Sequence, residues 1–253
     1  LITKGSRLST VHRSVPLDTI GIKRFGPSGK IVGERLFAGL FTSAAYSETP
    51  RKIPLLRRKV ETVMKQSGYG ATSHDGKALM HVLEDYPRDE LFQTPLDDLT
   101  QITRGIVHLQ ERQRTALFLR LDPYERYVSA IVFLPRDRLD TMLQRKFETI
   151  LADALNGEVQ AGYPHVTDEP LGRLHFVIKT TPGAIPNYDL KDIEARLIEA
   201  GRSWGDRLKS ALVEHHGEAR GSTLFNAFGD SFPTNYRERY SARTAVYDCV
   251  RME

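Results

Sequence analysis

Cysteine is nearly absent: Cys249 stands alone in 253 residues, which excludes an internal disulfide framework. The eight histidines are scattered and show no metal-ligand spacing beside a cysteine pair, so no metal site is predicted. His215 and His216 are adjacent, point about 100° apart on a helix, and read as a solvated helix end. No apolar run approaches the ~20 residues needed to cross a bilayer; stretches such as Tyr127 to Leu134 are far shorter. No charged-then-apolar leader opens the chain, and the reading is a cytoplasmic protein with no membrane partner. The sequence begins at Leu1 without methionine, and residues 1–15 lack periodicity, so a piece of a longer polypeptide is expected.

Nucleotide motifs are missing too. "GPSGKIVG" has the wrong spacing for GxGxxG and sits in a hairpin pattern, and GxxxxGK[ST] does not occur. "GYGATSHDGK" brings Ser73, His74 and Asp75 together, but neighbours in sequence do not generally adopt nucleophile and base geometry, and Asp75 is better used as a helix cap. No catalytic, cofactor-binding or metal residue is therefore predicted.

What is present is an ordinary globular composition, 40% hydrophobic, with an uneven charge distribution. Residues 1–70 hold 13 Lys and Arg against 4 Asp and Glu, while the remainder holds 23 against 28. The two parts are complementary. A basic module docked on acidic neighbours and a nucleic-acid binder both fit that balance. An RNA platform built on Tyr124, Arg126, Tyr127 and Phe133 is disfavoured because these rings lie in the acidic part and the RNA-binding ring motif is absent.

Periodicity supplies the architecture. "TIGIKRF" and "KIVGERLFAGLF" flank "GPSG" as a hairpin over residues 18–41, with Gly26 and Gly29 as positive-φ positions. A helix from about Pro54 carries Leu56, Val60, Val63 and Met64 inward; a second follows Asp75 and stops before Pro87; a third starts with Thr94 as N-cap and buries Leu99, Ile102, Ile106 and Leu109. "TALFLRL" places Leu117, Leu119 and Leu121 on one strand face, and "YVSAIVFL" reads as a central strand apolar on both faces. Asp137 is expected to cap the next helix, which Gly157 ends. Two more strands, "EVQAGYPHV" and "LHFVIKT", precede a helix capped by Asp189. That helix either runs unbroken to about His215 or kinks at Gly201 and Ser203. The predicted class is α+β: a ferredoxin-like, antiparallel ββαββα unit with a preceding hairpin and helical linker. Two helices should cover one face of its sheet and leave the other free to meet a partner.

Several runs, among them "VPLDTIGIKRFGPSGKIVGERLFAGLFTSAAY", "SHDGKALMHVLEDYPRDELFQT", "LRLDPYERYVSAIVFLPRDRLDT" and "FPTNYRERYSARTAV", resemble the N-terminal half of the large bacterial NAD-dependent glutamate dehydrogenases. The resemblance implies ACT-like and PAS-like modules ahead of a catalytic domain, a parent that oxidises L-glutamate to 2-oxoglutarate and ammonia with NAD, and a homo-oligomer. It implies the following division: residues 1–68 as the end of a PAS-like or ACT-like module, 69–112 as a helical linker, 113–216 as an ACT-like domain and 217–253 as a further linker. The family's catalytic lysine and nucleotide site find no counterpart here, so a non-catalytic regulatory or assembly segment is expected, with NAD the cofactor of the parent alone. An independent amino-acid-sensing module is the alternative, and a nucleic-acid binder a lesser one. In "DPYER" the turn uses Asp122 and Pro123, which leaves Tyr124, Arg126 and Tyr127 as the candidate contact to another module or subunit.

Overall fold

Strand β1 (Ile2–Leu8) runs antiparallel to β2 (Pro16–Phe25), which pairs in turn with β3 (Ile31–Gly39). The computed structural model that shows this describes residues 1–12, 14–111 and 113–253. The predicted hairpin is present, extended by a third strand in the stretch without periodicity. Its turn closes through the Gly26 amide donating to the Lys30 carbonyl, and Gly29 supplies the left-handed φ of 73°. Gly26 does not; it is required because a Cβ there would stand 2.8 Å from Val32 Cγ1. β3 is exposed along its whole length.

Five helices follow: α1 (Ser43–Ser47), α2 (Pro54–Ser67), α3 (His74–Asp85), α4 (Arg88–Gln93) and α5 (Leu96–Glu111). The predicted stripes make one core, in which Leu56, Val63, Leu79, Leu83, Leu91 and Leu99 are fully buried, except that Leu109 packs apart from it with Ala116 and Leu171. Two caps differ from expectation. Ser73, not Asp75, caps α3, its hydroxyl accepting from the Gly76 amide, while Asp75 sits in the first turn. Thr94 does not start the third predicted helix but terminates α4, a helix too short to show a period.

The second sheet has strands β4 (Ala116–Leu121), β5 (Tyr127–Pro135), β6 (Glu158–His165) and β7 (Leu171–Lys179) in the order β4-β5-β7-β6, every pairing antiparallel. Leu117, Val128, Ala130, Val132, Leu134, Leu174, Phe176 and Ile178 share one face and meet α6 (Thr141–Leu155) and α7 (Leu190–Ala200). Asp140 caps α6, its carboxylate accepting from the Leu143 amide; Asp137 instead lies in a 3-10 turn over Arg136–Arg138. Asn156, with φ 48°, closes the helix just before Gly157. Asp189 caps α7 as predicted.

The opposite face of this sheet is not free. Phe118, Ile131 and Phe133 pack into the core of α2–α5, and Gly105 lets α5 pass so close over β4 that a Cβ would stand 2.7 Å from Phe118 Cε1. A period-2 pattern shows that both faces of a strand are apolar but not which neighbour covers the second.

The long final helix is broken. α7 ends at Ala200, and Ser203 starts α8 (Trp204–His216) with a capping box shared with Asp206. α8 buries Leu208, Ala211 and Leu212 against α9 (Glu218–Phe228), Phe232 and α11 (Ala242–Met252), with α10 (Thr234–Arg239) alongside, in a third core that includes Cys249. Helix α8 therefore packs with the residues that follow it. Three helices with short connections make up residues 217–253, and His216 ends α8.

Candidate functional site: a cavity on the second face of the sheet

Antiparallel register sets three cross-sheet rows on the covered face: Arg120, Ser129, Val177, Ala161; then Phe118, Ile131, His175, Tyr163; then Ala116, Phe133, Arg173, His165. The β4 end of these rows lies under α5. Towards β6 the rows form the floor of a cavity of about 380 Å³, roofed by α4 and by the β1–β2 segment. The size suits a small molecule. Leu8, Val15, Pro16, Pro164 and Val177 give apolar wall; Lys4, Arg88, Asp89, Glu90, Arg120 and Arg173 give charge, and His175 a polar ring.

At its heart lies an ion pair with about 5% of either side chain exposed. Arg120 donates from Nε to Glu90 Oε2 at 2.6 Å and from Nη2 to Oε1 at 2.8 Å. Burial alone raises the Glu90 carboxyl, but the Arg120 guanidinium outweighs it and leaves Glu90 at about 2. His175, hydrogen-bonded through Nε2 to Ser129 Oγ at 3.0 Å, is pushed down chiefly by burial and is neutral at pH 7. On the far side of α4, Lys59 donates to the Leu91 and Phe92 carbonyls, and burial lowers it to about 8. Arg173 reaches across to α3, giving Nη1 to both the carbonyl and carboxylate of Asp85 at 2.7 Å. Helix α4 is thus held to the sheet by the Glu90–Arg120 pair and α3 by Arg173 and Asp85, and the buried first pair is costly to disrupt from one side only.

The candidate contact residues lie beside this cavity. Asp122, 3% exposed, accepts from Thr3 Oγ1 at 2.5 Å, from the Tyr124 amide at 3.1 Å and from Arg126 Nε at 3.2 Å. Arg126 also gives Nη2 to Thr3 Oγ1, and the Tyr127 hydroxyl donates to the Gly5 carbonyl. Arg126 and Tyr127 therefore meet β1, and Tyr127 lines the cavity as well. Tyr124 is exposed, with the Arg126 guanidinium over its ring at 4.8 Å.

Three models of glutamate dehydrogenase segments match the chain in succession: helical motif 1 over residues 53–112, the ACT2 domain over 116–205 and helical motif 2 over 211–253. Together they cover well over half of it. The chain belongs to the glutamate dehydrogenase family. NAD-specific glutamate dehydrogenases of Halomonas elongata and Pseudomonas aeruginosa are 38% and 37% identical over 245 residues, which is 97% of this chain and 15% of each relative. The NAD-specific glutamate dehydrogenase of Mycobacterium tuberculosis is 28% identical over 232 residues, covering 87% of this chain and 14% of that protein. The chain thus spans about 15% of the length of the first two relatives.

The matched ranges fall on the three cores, and the cavity lies where the helical motif 1 region, the ACT2 sheet and the unmatched first strands meet. Among the described lining residues none is a glycine, and the helix at the roof follows another helix rather than a strand, so this cavity lacks the strand, glycine turn and helix that hold a dinucleotide pyrophosphate. Among the described residues no helix is long and apolar enough to cross a membrane. Sequence reasoning missed Glu90, Arg120, His175 and Arg88. A signal existed for two of them: Arg120 and His175 interrupt apolar strands at core-facing positions, where a charged or titratable residue demands a buried partner.

Proposed function

We propose that this chain is a non-catalytic regulatory and assembly segment of an NAD-dependent glutamate dehydrogenase, within the N-terminal half of a cytoplasmic, homo-oligomeric polypeptide. The parent would convert L-glutamate, NAD and water to 2-oxoglutarate, ammonia and NADH. One observation carries the reading: helical motif 1, ACT2 and helical motif 2 occur in unbroken order in a chain that spans 15% of its NAD-specific relatives. We divide the chain into the β1–β3 sheet as part of a preceding PAS-like or ACT-like module, residues 53–112, 116–205 and 211–253. Arg126 and Tyr127, with Tyr124 stacked on the first, are the contact that ties the β1–β3 sheet to the ACT2 unit.

The test compares glutamate-dependent NADH formation by these 253 residues with that of the complete polypeptide. The expected result is none from the chain alone, activity from the complete protein, and loss of its oligomer by light scattering when residues 53–253 are removed. Turnover by the chain alone refutes the reading.

A further inference from the structure

We propose that the bridges His81–Glu169 and His165–Asp85 form a proton-dependent clasp between helix α3 and the β6–β7 hairpin, fastened when both imidazoles are charged and loosened as they become neutral. The clasp stands apart from the regulatory reading, because it concerns only how two parts of this chain hold each other.

The arrangement is reciprocal. Helix α3 offers His81 and, one turn later, Asp85; the hairpin offers His165 at the end of β6 and Glu169 in the loop that follows. His81 Nε2 lies 2.7 Å from Glu169 Oε1, and His165 Nε2 lies 2.8 Å from Asp85 Oδ1. Each element gives one imidazole and receives another. The apolar stripe of α3, Leu79, Val82 and Leu83, is spent on the helical core, so its polar edge carries the link to the hairpin. Arg173 on β7 also holds Asp85, at every pH, and the histidines add the part that titrates. The four clasp side chains are 39% to 60% exposed, so protons reach them from solvent.

Imidazole changes charge between about pH 5 and 8. Once charged, each ring has a carboxylate at contact distance only while the contact is closed. The stability it adds is therefore present at low pH and is lost as pH rises through that range. His165 also stands at the C-terminal end of α3, where the helix dipole favours a cation. Charge further away is mixed. Helix α3 adds Lys77 and Glu84, β7 adds Arg173, and the loop adds Asp168 with Arg136 at 3.9 Å. The cavity behind His165 adds Lys4, Arg88, Asp89 and the Glu90–Arg120 pair. Tyr86, beside His81, is pushed far up by burial and stays neutral, and α5 contributes only Ile106 there. With both signs present at a distance, the two carboxylates in contact set the direction. Buried His175 is pushed down by burial, so its charging opposes folding and has the opposite sign.

Hydrogen exchange on the 253-residue chain at about pH 6 and about pH 8, corrected for the intrinsic pH dependence of amide exchange, tests the clasp. Amides of residues 81–86 and 162–170 should be about three- to tenfold better protected at the lower pH, the range open to two exposed pairs acting together. Residues 128–134 of β5 should change less than about twofold. His81→Gln with His165→Gln keeps a polar side chain at each position, leaves His175 in place, and should remove the difference. Glu169→Gln, which keeps both histidines, should cut it to about half or less, as should salt at about 1 M. Equal protection at the two pH values overturns the proposal. So does greater protection at the higher pH, a change shared equally by β5, or a difference that survives in the double variant or in Glu169→Gln.

Discussion

Glu90→Gln tests the pairing that holds α4 to the sheet. The substitution keeps shape and removes charge, leaving the Arg120 guanidinium buried without its counterion. Breaking such a pair from one side costs about 3–5 kcal/mol. An independent route gives a similar figure. Glu90 falls from 4.5 to about 2 on folding, which corresponds to about 3 kcal/mol of stability. Because the folded value is depressed, that stability is fully present above the unfolded value of 4.5 and is lost as the pH drops towards 2. Against a typical domain stability of about 5–15 kcal/mol, the variant is marginal at neutral pH. Urea unfolding followed by circular dichroism, with hydrogen exchange of the α4 and β4 amides, measures the loss. The double replacement Glu90→Leu with Arg120→Met removes both charges and should recover to within about 2 kcal/mol of the parent. A single substitution costing under about 1 kcal/mol, or a double one worse than the single, would show that the pair does not carry the contact.

Two further outcomes are expected. Arg126→Ala removes the bridge between Thr3 and Asp122, so hydrogen exchange in residues 2–8 should accelerate about tenfold while residues 128–134 stay protected, without effect on nicotinamide chemistry in the parent. Gly221→Ala places a Cβ 2.6 Å from the Val213 backbone, forces α9 off α8, and should cost about 1–3 kcal/mol in the unfolding transition reported by Trp204 fluorescence.

The amphipathic helices and the ββαββα order were legible because their core positions repeat at the period of the element that carries them. Leu56, Val60 and Val63, or Leu174, Phe176 and Ile178, are buried as their spacing requires. Caps were less legible where several residues compete: Asp137 and Asp140 both precede α6, and the 3-10 turn after Pro135 consumes the first. Strand β1 was hidden because residues 2–8 alternate weakly. The cavity was illegible for a different reason. Its members come from residues 4 to 177, and the Glu90–Arg120 bond is set by how α4 crosses a sheet built later in the chain. Local pattern marks Arg120 as misplaced in an apolar strand, but only tertiary packing names its partner.

The joint between α7 and α8 gives the molecule a lever. Hydrogen bonds are complete on both sides of it: the Gly201 amide donates to Leu197, and Ser203 and Asp206 cap each other's turn. A change of angle there need not break either helix. Its braces are peripheral: Arg138 reaches the Gly201 carbonyl and pairs with Asp206 at 3.0 Å, Arg202 reaches Ser210, and Arg207 pairs with Glu199. The 13 residues of α8 extend about 20 Å, so a rotation of about 10° at residues 201–203 swings the far end by about 3 Å. Ionic strength, which weakens exposed charge pairs, would therefore act on the position of the last four helices through a fulcrum of three residues.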